Sequence, residues 1–305
     1  MVLDQSTPSI HIVDEFSQQT QELKKHFLNE FSKPLQATQN RFVWDYWHVP
    51  DQYTLVRTSA ANYFPERSYS RWEEELILWG REHLGCSEIS PTWLSYYVDG
   101  CEQHWHADNP HGPWAFVFSL TDWSSRKFQG GQTQILSNQV LDYWNGFDSN
   151  LGFEMESLIH QIEPEFNRLT VFDPRIPHAV APVQGVKDPR EARIVIHGWF
   201  LEPSPELQGG LEGEEVSDVF SDVLGMALDQ VEDFGKYNGY ISYRLKIATS
   251  GVIESVQVVS NTLKAIDENS LELKKVEQIL FDVFPNLKFP TAKKESVFTL
   301  PLIFK

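Results

Sequence analysis

The run DEFSQQTQELKKHFLNEF places Phe16, Leu23, Phe27 and Phe31 at helical spacing. SRWEEELILWGREHLG repeats that pattern with Trp72, Leu76, Leu78 and Trp79, and Gly85 reads as its C-terminal cap. Residues up to about 90 mix such helices with short strands. Beyond that the period shortens. TWLSYYV (92–98), WAFVFSL (114–120), GQTQIL (131–136), NRLTVFD (167–173) and ARIVIHGWF (192–200) are short β-rich runs separated by turn chemistry. Strands in succession without helices between them predict a sandwich or closed barrel, not alternating strand–helix units. The segment around LDYWNGFDSNLGFEMES reads as an insert covering one barrel rim, where loops carry substrate contacts.

From Glu202 the pattern changes again. Residues 202–235 hold ten Asp or Glu and no Lys or Arg, starting in a Pro- and Gly-containing stretch. Val216, Phe220, Val223, Leu224, Ala227, Leu228 and Val231 then recur at helical spacing, predicting an acidic amphipathic helix with a solvated face. YISYRLKIA, the turn TSG, VIESVQVVS, LELKKVEQILFDVF and VFTLPLIF follow as strand, hairpin, strand, helix and strand. The expected class is α+β, with three parts: 1–203 with its barrel core at about 91–201, an acidic linker and helix at 204–236, and a small α/β module at 237–305.

Composition narrows the function. Of 305 residues, 41% are hydrophobic and 13% aromatic, enough for a packed core. A formal charge of −18 argues against a phosphate-tracking nucleic-acid binder and suits a neutral or cationic substrate. Cys86 and Cys101 form no CxxC pair and no disulfide scaffold. Neither a signal peptide nor a membrane-spanning run is visible, so the expectation is a soluble cytoplasmic protein.

The candidate chemistry lies in YYVDGCEQHWHADNPHGPWAFVFSLTDW. His106 and Asp108 are one residue apart, and side chains at i and i+2 on a strand share a face, so both can reach one metal. NRLTVFDPRIPHAVAPV supplies His178 just beyond another apolar strand. Two imidazoles and a carboxylate on one face leave three adjacent positions open, the facial triad of non-haem Fe(II) oxygenases. His104 shares that face, and spacing alone leaves it open as a rival to His106. Taken singly, each histidine reads as an ordinary surface or core residue. The combination of HxD, GGQT, PHAV and a basic residue on the last strand favours the metal reading. His26, His83 and His160 lack comparable partners.

Arg193 opens ARIVIHGWF, and a guanidinium there suits the distal carboxylate of 2-oxoglutarate because it pairs with carboxylates through two parallel hydrogen bonds. Arg190 in the preceding loop reads as a surface residue. Val195 and His197 share a face with Arg193, so His197 can also point into the barrel. Trp105, Trp114 and Trp199 are candidate walls of a dry pocket or, equally, ordinary barrel core.

On YVDG-to-HADNP, SLTDW, GGQT, IEPEFNRLTVFD-to-PHAV-to-PV and the Arg193-to-Trp199 strand, residues 92–201 resemble the prolyl-hydroxylase branch of the 2-oxoglutarate/Fe(II) dioxygenases. The resemblance implies a double-stranded β-helix (a jelly-roll, cupin-like barrel) with N-terminal flanking helices. It implies iron held by His106, Asp108 and His178, which selects His106 over His104, and Arg193 on the cosubstrate carboxylate. Tyr97 matches a family tyrosine lining the cosubstrate or substrate pocket. Where some relatives place a tyrosine that hydrogen-bonds 2-oxoglutarate this chain has Ser119, which implies a missing or water-mediated contact. The implied cofactors are Fe(II), 2-oxoglutarate and O2, with ascorbate as an optional accessory. Retention of Asp108 argues against a halogenase, in which that carboxylate is lost. The C-terminal module resembles the small C-terminal domain of TonB-type proteins through SGVIESVQVVS and LKFP, which implies protein–protein contact rather than catalysis.

The expected activity is hydroxylation of a prolyl or other amino-acid side chain in a peptide or protein. Two alternatives remain at this stage. One is a hydroxylase of a free amino acid or small metabolite; the other is a cupin-like metal-binding or adaptor protein without redox activity.

Overall fold

The computed structural model describes residues 8–32, 43–108, 111–138, 140, 148, 150, 158–266 and 273–305. The insert expected over the barrel rim lies almost wholly outside these residues. The chain divides into two compact units. One comprises Ile10–Ile77 and Ile89–Leu201; the other gathers Leu78–Glu88 and Glu202–Lys305. Among the described residues no helix is long and apolar enough to cross a membrane, and Cys86 and Cys101 are both free and buried.

The first unit begins with β1 (Ile10–Val13), α1 (Thr20–Ser32), β2 (Asp45–Val49), β3 (Tyr53–Ser59), α2 (Ala60–Tyr63) and α3 (Glu66–His83), whose last turns from Leu78 fall to the second unit. It continues with β4 (Trp93–Tyr97), β5 (Glu102–His106), β6 (Trp114–Ser119), β7 (Thr133–Leu136), β8 (Ile159–Ile162), β9 (Leu169–Phe172), β10 (His178–Val180) and β11 (Arg193–Phe200). These strands form one antiparallel sheet in the order β1-β9-β6-β11-β4-β3-β5-β10-β7-β8, with β2 added beside β3.

The sheet is strongly curled. In that order β11 and β7 stand five strands apart, which in a flat sheet would separate them by about 24 Å at ~4.8 Å per strand. Instead the Arg193 Nη2 on β11 donates to the Thr133 Oγ1 on β7 at 3.2 Å. Curling closes the sheet into a half-barrel of the double-stranded β-helix type, with its concave face turned inward. Its strands are bound to be apolar on both sides where helices cover the outside, and all four residues of β9 are buried.

The flanking helices follow the predicted patterns. In α1, Leu23 and Phe27 are fully buried, and Phe27 packs against Trp44 and Tyr96. The first turn is secured by Asn167, which adopts φ +64 and accepts hydrogen bonds from Ser17 N and Thr20 Oγ1. In α3, Trp72 and Leu76 are buried, and the Trp72 ring packs on Phe118 at 5.5 Å. Leu78, expected on the same face, is 58% exposed. At 100° per residue it lies far around the helix from Leu76, so the structure corrects that assignment.

The second unit is a four-stranded antiparallel sheet extended by a short bridge. β12 (Glu206–Gln208), α4 (Gly213–Glu232), β13 (Tyr237–Ile247), β14 (Ile253–Asn261), β15 (Lys264–Ala265), α5 (Leu273–Phe281) and β16 (Ser296–Phe304) follow in sequence, and the main sheet runs β12-β16-β13-β14. The acidic helix α4 packs within this unit. Val216, Phe220, Ala227 and Val231 sit in one core with Tyr243, Val276 and Phe298. Its start carries a capping box between Glu212 and Glu215, so two of its acids satisfy backbone N–H groups at the positive end of the helix. The segment after α3 joins the same unit: Tyr240 Oη donates to Leu84 O at 2.9 Å, and the Arg244 guanidinium donates to Arg81 O and Glu82 O.

Candidate metal centre

β5 ends on His106 and β10 begins on His178, and the antiparallel register sets these two residues directly opposite each other. Their ring centroids are 4.3 Å apart. Asp108 follows β5 and is held by its own N–H, which donates to Pro174 O at 2.8 Å. Its Oδ1 lies 3.5 Å from His106 Nε2 and its Oδ2 3.6 Å from His178 Nε2. Across His106, Asp108 and His178 one ligand atom per residue falls within 4.8 Å of the others. Each imidazole spends its Nδ1 on a backbone carbonyl two residues earlier, His104 O at 2.7 Å and Ile176 O at 2.9 Å. Both rings are thereby fixed in the tautomer that leaves Nε2 as a lone-pair donor. The third group is oriented too: Trp199 Nε1 donates to Asp108 Oδ2 at 2.9 Å.

The electrostatics favour the forms a metal needs. Burial, with His178 beside it, pushes the His106 imidazole below its ordinary pKa, so it is neutral. Burial alone would raise the Asp108 pKa, but the neighbouring His178 and His106 imidazoles and the Trp199 N–H bring it below the usual value and keep it ionised. Two imidazole Nε2 atoms and an ionised carboxylate on one side of an open cavity fit a non-haem Fe(II) ion. His104, the rival, does not join them. It is 46% exposed and turned toward Glu102 Oε1 at 3.2 Å.

The triad opens into a cavity of about 600 Å³. Arg193 stands in its wall and is almost fully buried. Its Nε donates to Gly131 O at 2.8 Å, and the Tyr97 ring lies 4.6 Å from its guanidinium carbon. Its Nη1 is buried without an acceptor, and among the described residues no carboxylate pairs with it. Burial accordingly lowers its pKa, against the opposing influence of Tyr97. A buried guanidinium with an unsatisfied donor is costly unless an anion reaches it. The distal carboxylate of 2-oxoglutarate is a fitting occupant.

The GGQT motif acquires a physical role here. Gly130 and Gly131 have φ of +76 and +80, and a Cβ on Gly130 would stand 1.7 Å from Pro182 O. This tight passage aims Gly131 O at Arg193 and delivers Thr133 to the same guanidinium.

Tyr97 and His197 also line the cavity. Burial, with Arg193 and Arg57 nearby, holds the His197 pKa down at about 4, so the ring is neutral, and its Nε2 meets Ser95 Oγ at 2.8 Å. Ser119 is not among the residues lining the cavity. Its hydroxyl donates to Pro164 O at 2.7 Å and accepts from Thr121 N, so it closes a turn instead of facing a ligand. Of the three tryptophans, Trp199 lines the cavity, whereas Trp105 is 45% exposed and Trp114 is core packed against His11.

The structure adds residues that spacing did not indicate. His111 stacks on Trp199 with centroids 4.5 Å apart. Tyr53, Leu55 and Arg57 reach the cavity from alternate positions of β3. The Arg57 guanidinium is sandwiched between Trp47 at 3.4 Å and Trp93 at 4.0 Å. An arginine in the otherwise apolar-alternating YTLVRTS was the available signal, but nothing in the sequence told which face it would take.

Residues 92–201 match the model of the family described as "2OG-Fe(II) oxygenase superfamily". No curated protein matches the chain at a significant level. Among solved structures, a prolyl hydroxylase from Trichoplax adhaerens, in complex with a hypoxia inducible factor oxygen degradation domain peptide fragment, is 19% identical with a TM-score of 0.45, over 64% of this chain and 84% of that one. A Pseudomonas putida prolyl-4-hydroxylase is 14% identical with a TM-score of 0.43, over 64% of this chain and 94% of that one. A viral collagen prolyl hydroxylase from Paramecium Bursaria Chlorella virus-1 is 13% identical with a TM-score of 0.40, over 63% of this chain and 95% of that one. None of these matches supports the TonB-type resemblance of the C-terminal module.

Proposed function

Residues 92–201 form a domain of the 2OG-Fe(II) oxygenase superfamily, and from that premise we propose that this 2-oxoglutarate-dependent non-haem iron oxygenase hydroxylates an unactivated C–H bond of an amino-acid side chain. The observation that carries the reading is one cavity holding both the His106, Asp108 and His178 cluster and the buried Arg193 guanidinium, whose Nη1 has no acceptor among the described residues. A metal site alone would suit a cupin-like binding protein. The buried, anion-seeking arginine beside it calls for the cosubstrate.

When bound, Fe(II) and 2-oxoglutarate supply the chemistry, coupling the oxidative decarboxylation of the cosubstrate by O2 to hydroxylation of the substrate. The chain holds and orients these groups. His106 and His178 present Nε2 because the carbonyls of His104 and Ile176 occupy Nδ1. Asp108 is kept ionised and aimed by Trp199. Arg193, steered by Gly131 O and Thr133 Oγ1, binds the distal carboxylate, and the Tyr97 ring shields it from water. Val117, Val180 and Val195 give the cavity dry walls. As substrate we favour a prolyl or other side chain in a peptide or protein. The alternative of a free amino acid uses the same site and differs only in what fills the outer cavity.

The test needs no substrate. Under anaerobic conditions, Fe(II) and 2-oxoglutarate added to the apo-protein are expected to give the weak visible charge-transfer band of the chelated cosubstrate. The band disappears in His178→Ala and needs a higher 2-oxoglutarate concentration in Arg193→Ala. Iron binding without a band at any 2-oxoglutarate concentration would discard the oxygenase reading in favour of a cupin-like protein.

A further inference from the structure

The cavity holds a second arginine that the cosubstrate does not require. Arg57 lies on β3, and its guanidinium is covered on one face by Trp47 and on the other by Trp93. Stacking of this kind fixes the plane of the group. It also leaves only the in-plane N–H edge free to bond. Among the described residues that edge finds no acceptor: Nε is buried without a partner, and no carboxylate lies within ion-pair distance. Asp45, opposite Arg57 on β2, is exposed and acts on it only at longer range.

Charge matching in the cavity points the same way. Asp108 is its sole acid among the described lining residues. Once iron and 2-oxoglutarate are in place, the two charges of the metal and that of Arg193 are balanced by Asp108 and the two cosubstrate carboxylates. Among the described lining residues Arg57 is then the cation left over, a local exception to a formal charge of −18 that by itself suits neutral or cationic substrates. A half-buried, unpaired cation in a site walled by Trp47, Trp93 and Leu55 favours an anion entering from solution.

We propose that Arg57 is a substrate-binding residue whose in-plane N–H edge receives a carboxylate of the substrate, so that the enzyme selects a substrate that is anionic next to its reacting C–H bond. This rests on the oxygenase reading above and narrows its substrate class. The carboxylate has two sources: the α-carboxylate of a free amino acid, or an Asp or Glu side chain flanking the target residue in a peptide.

The experiment uses the full chain loaded with Fe(II) and 2-oxoglutarate and two sets of matched probes. One set is the free L-amino acids, each with its carboxamide. The other is proline-containing peptides bearing Asp or Glu beside the proline, each with its Asn or Gln counterpart. Anaerobic titration reads the shift of the charge-transfer band on probe binding; succinate release in air reads turnover. The expected result is a response to carboxylate members of one set and not to their amides. Arg57→Gln should weaken the responding probe at least about tenfold, the loss of a charge-assisted hydrogen bond. Arg57→Lys, which keeps the charge and loses the fork, should recover part of that loss. In both variants the 2-oxoglutarate dissociation constant should stay within about twofold of wild type, unlike Arg193→Gln.

The responding set identifies the source of the carboxylate. Equal response to acids and amides, no response to any carboxylate probe, or unchanged probe affinity in Arg57→Gln overturns the proposal. So does a fall in 2-oxoglutarate affinity in Arg57→Gln as large as in Arg193→Gln, which would give Arg57 to the cosubstrate. A protein that binds iron but shows no band fails at the oxygenase reading itself, a result distinct from all of these.

Discussion

Trp199 illustrates how much of the metal centre depends on groups that never touch the metal. Its indole N–H donates to Asp108 while its face carries His111. Trp199→Phe keeps an aromatic ring and removes the donor, so Fe(II) affinity should fall about tenfold with the fold intact, as is common when an outer hydrogen bond to a metal ligand is lost. Competition with a coloured chelator would measure it, and an unchanged affinity would show that the indole only packs. His197 makes a different prediction. Its pKa is held down at about 4, while the unfolded chain titrates near ~6.5. The unfolded state therefore binds the proton first, and stability falls as pH drops from about 6.5 toward 4. Because part of the ring meets cavity water, its share should be about 1–3 kcal/mol. His197→Gln should remove that share of the acid sensitivity, read as urea midpoints at pH 7 and pH 4.5; parallel curves for the two proteins would refute it.

Among the elements, the turn into β7 has the least freedom. The Gly130–Gly131 passage holds positive φ at both residues, and Pro182 O blocks any side chain at the first. Gly130→Ala combines left-handed strain of about 1–2 kcal/mol with a backbone clash that must be relieved by moving the strand. A loss of at least about 2 kcal/mol in urea unfolding is expected. The same displacement should weaken 2-oxoglutarate binding, because Gly131 O and Thr133 both orient Arg193. Normal stability together with normal cosubstrate affinity would contradict this account. In β3 it is the alternation of side chains that carries Tyr53, Leu55 and Arg57 into the cavity together.

For the whole molecule, a cut after Leu201 would sever one of the two compact units. Leu78–Glu88 belongs with Glu202–Lys305. Within that unit Leu84 and Cys86 are fully buried, and Tyr240 and Arg244 bond the backbone from Arg81 to Leu84. A fragment ending at Leu201 is therefore expected to expose this patch, with low soluble yield and a melting temperature below that of the full chain. A fragment as stable as the full chain would show that the α3 end does not need its partner.

What could be seen in the sequence was whatever depends on local period and residue chemistry. The helices α1 and α3, the strands β4, β6, β7, β9 and β11, the HxD pair with His178, and an arginine opening the last barrel strand all follow from spacing, because period fixes which side chains share a face. Tertiary structure decided the rest, since face and proximity across a curled sheet are not local properties. It separated His106 from His104 by turning the latter to Glu102. It spent the Ser119 hydroxyl on Pro164, drew the acidic helix into the C-terminal core, and set Arg57 between two tryptophans in the same cavity as Arg193. Register and curl alone bring such distant positions together, and no stretch of sequence encodes them by itself.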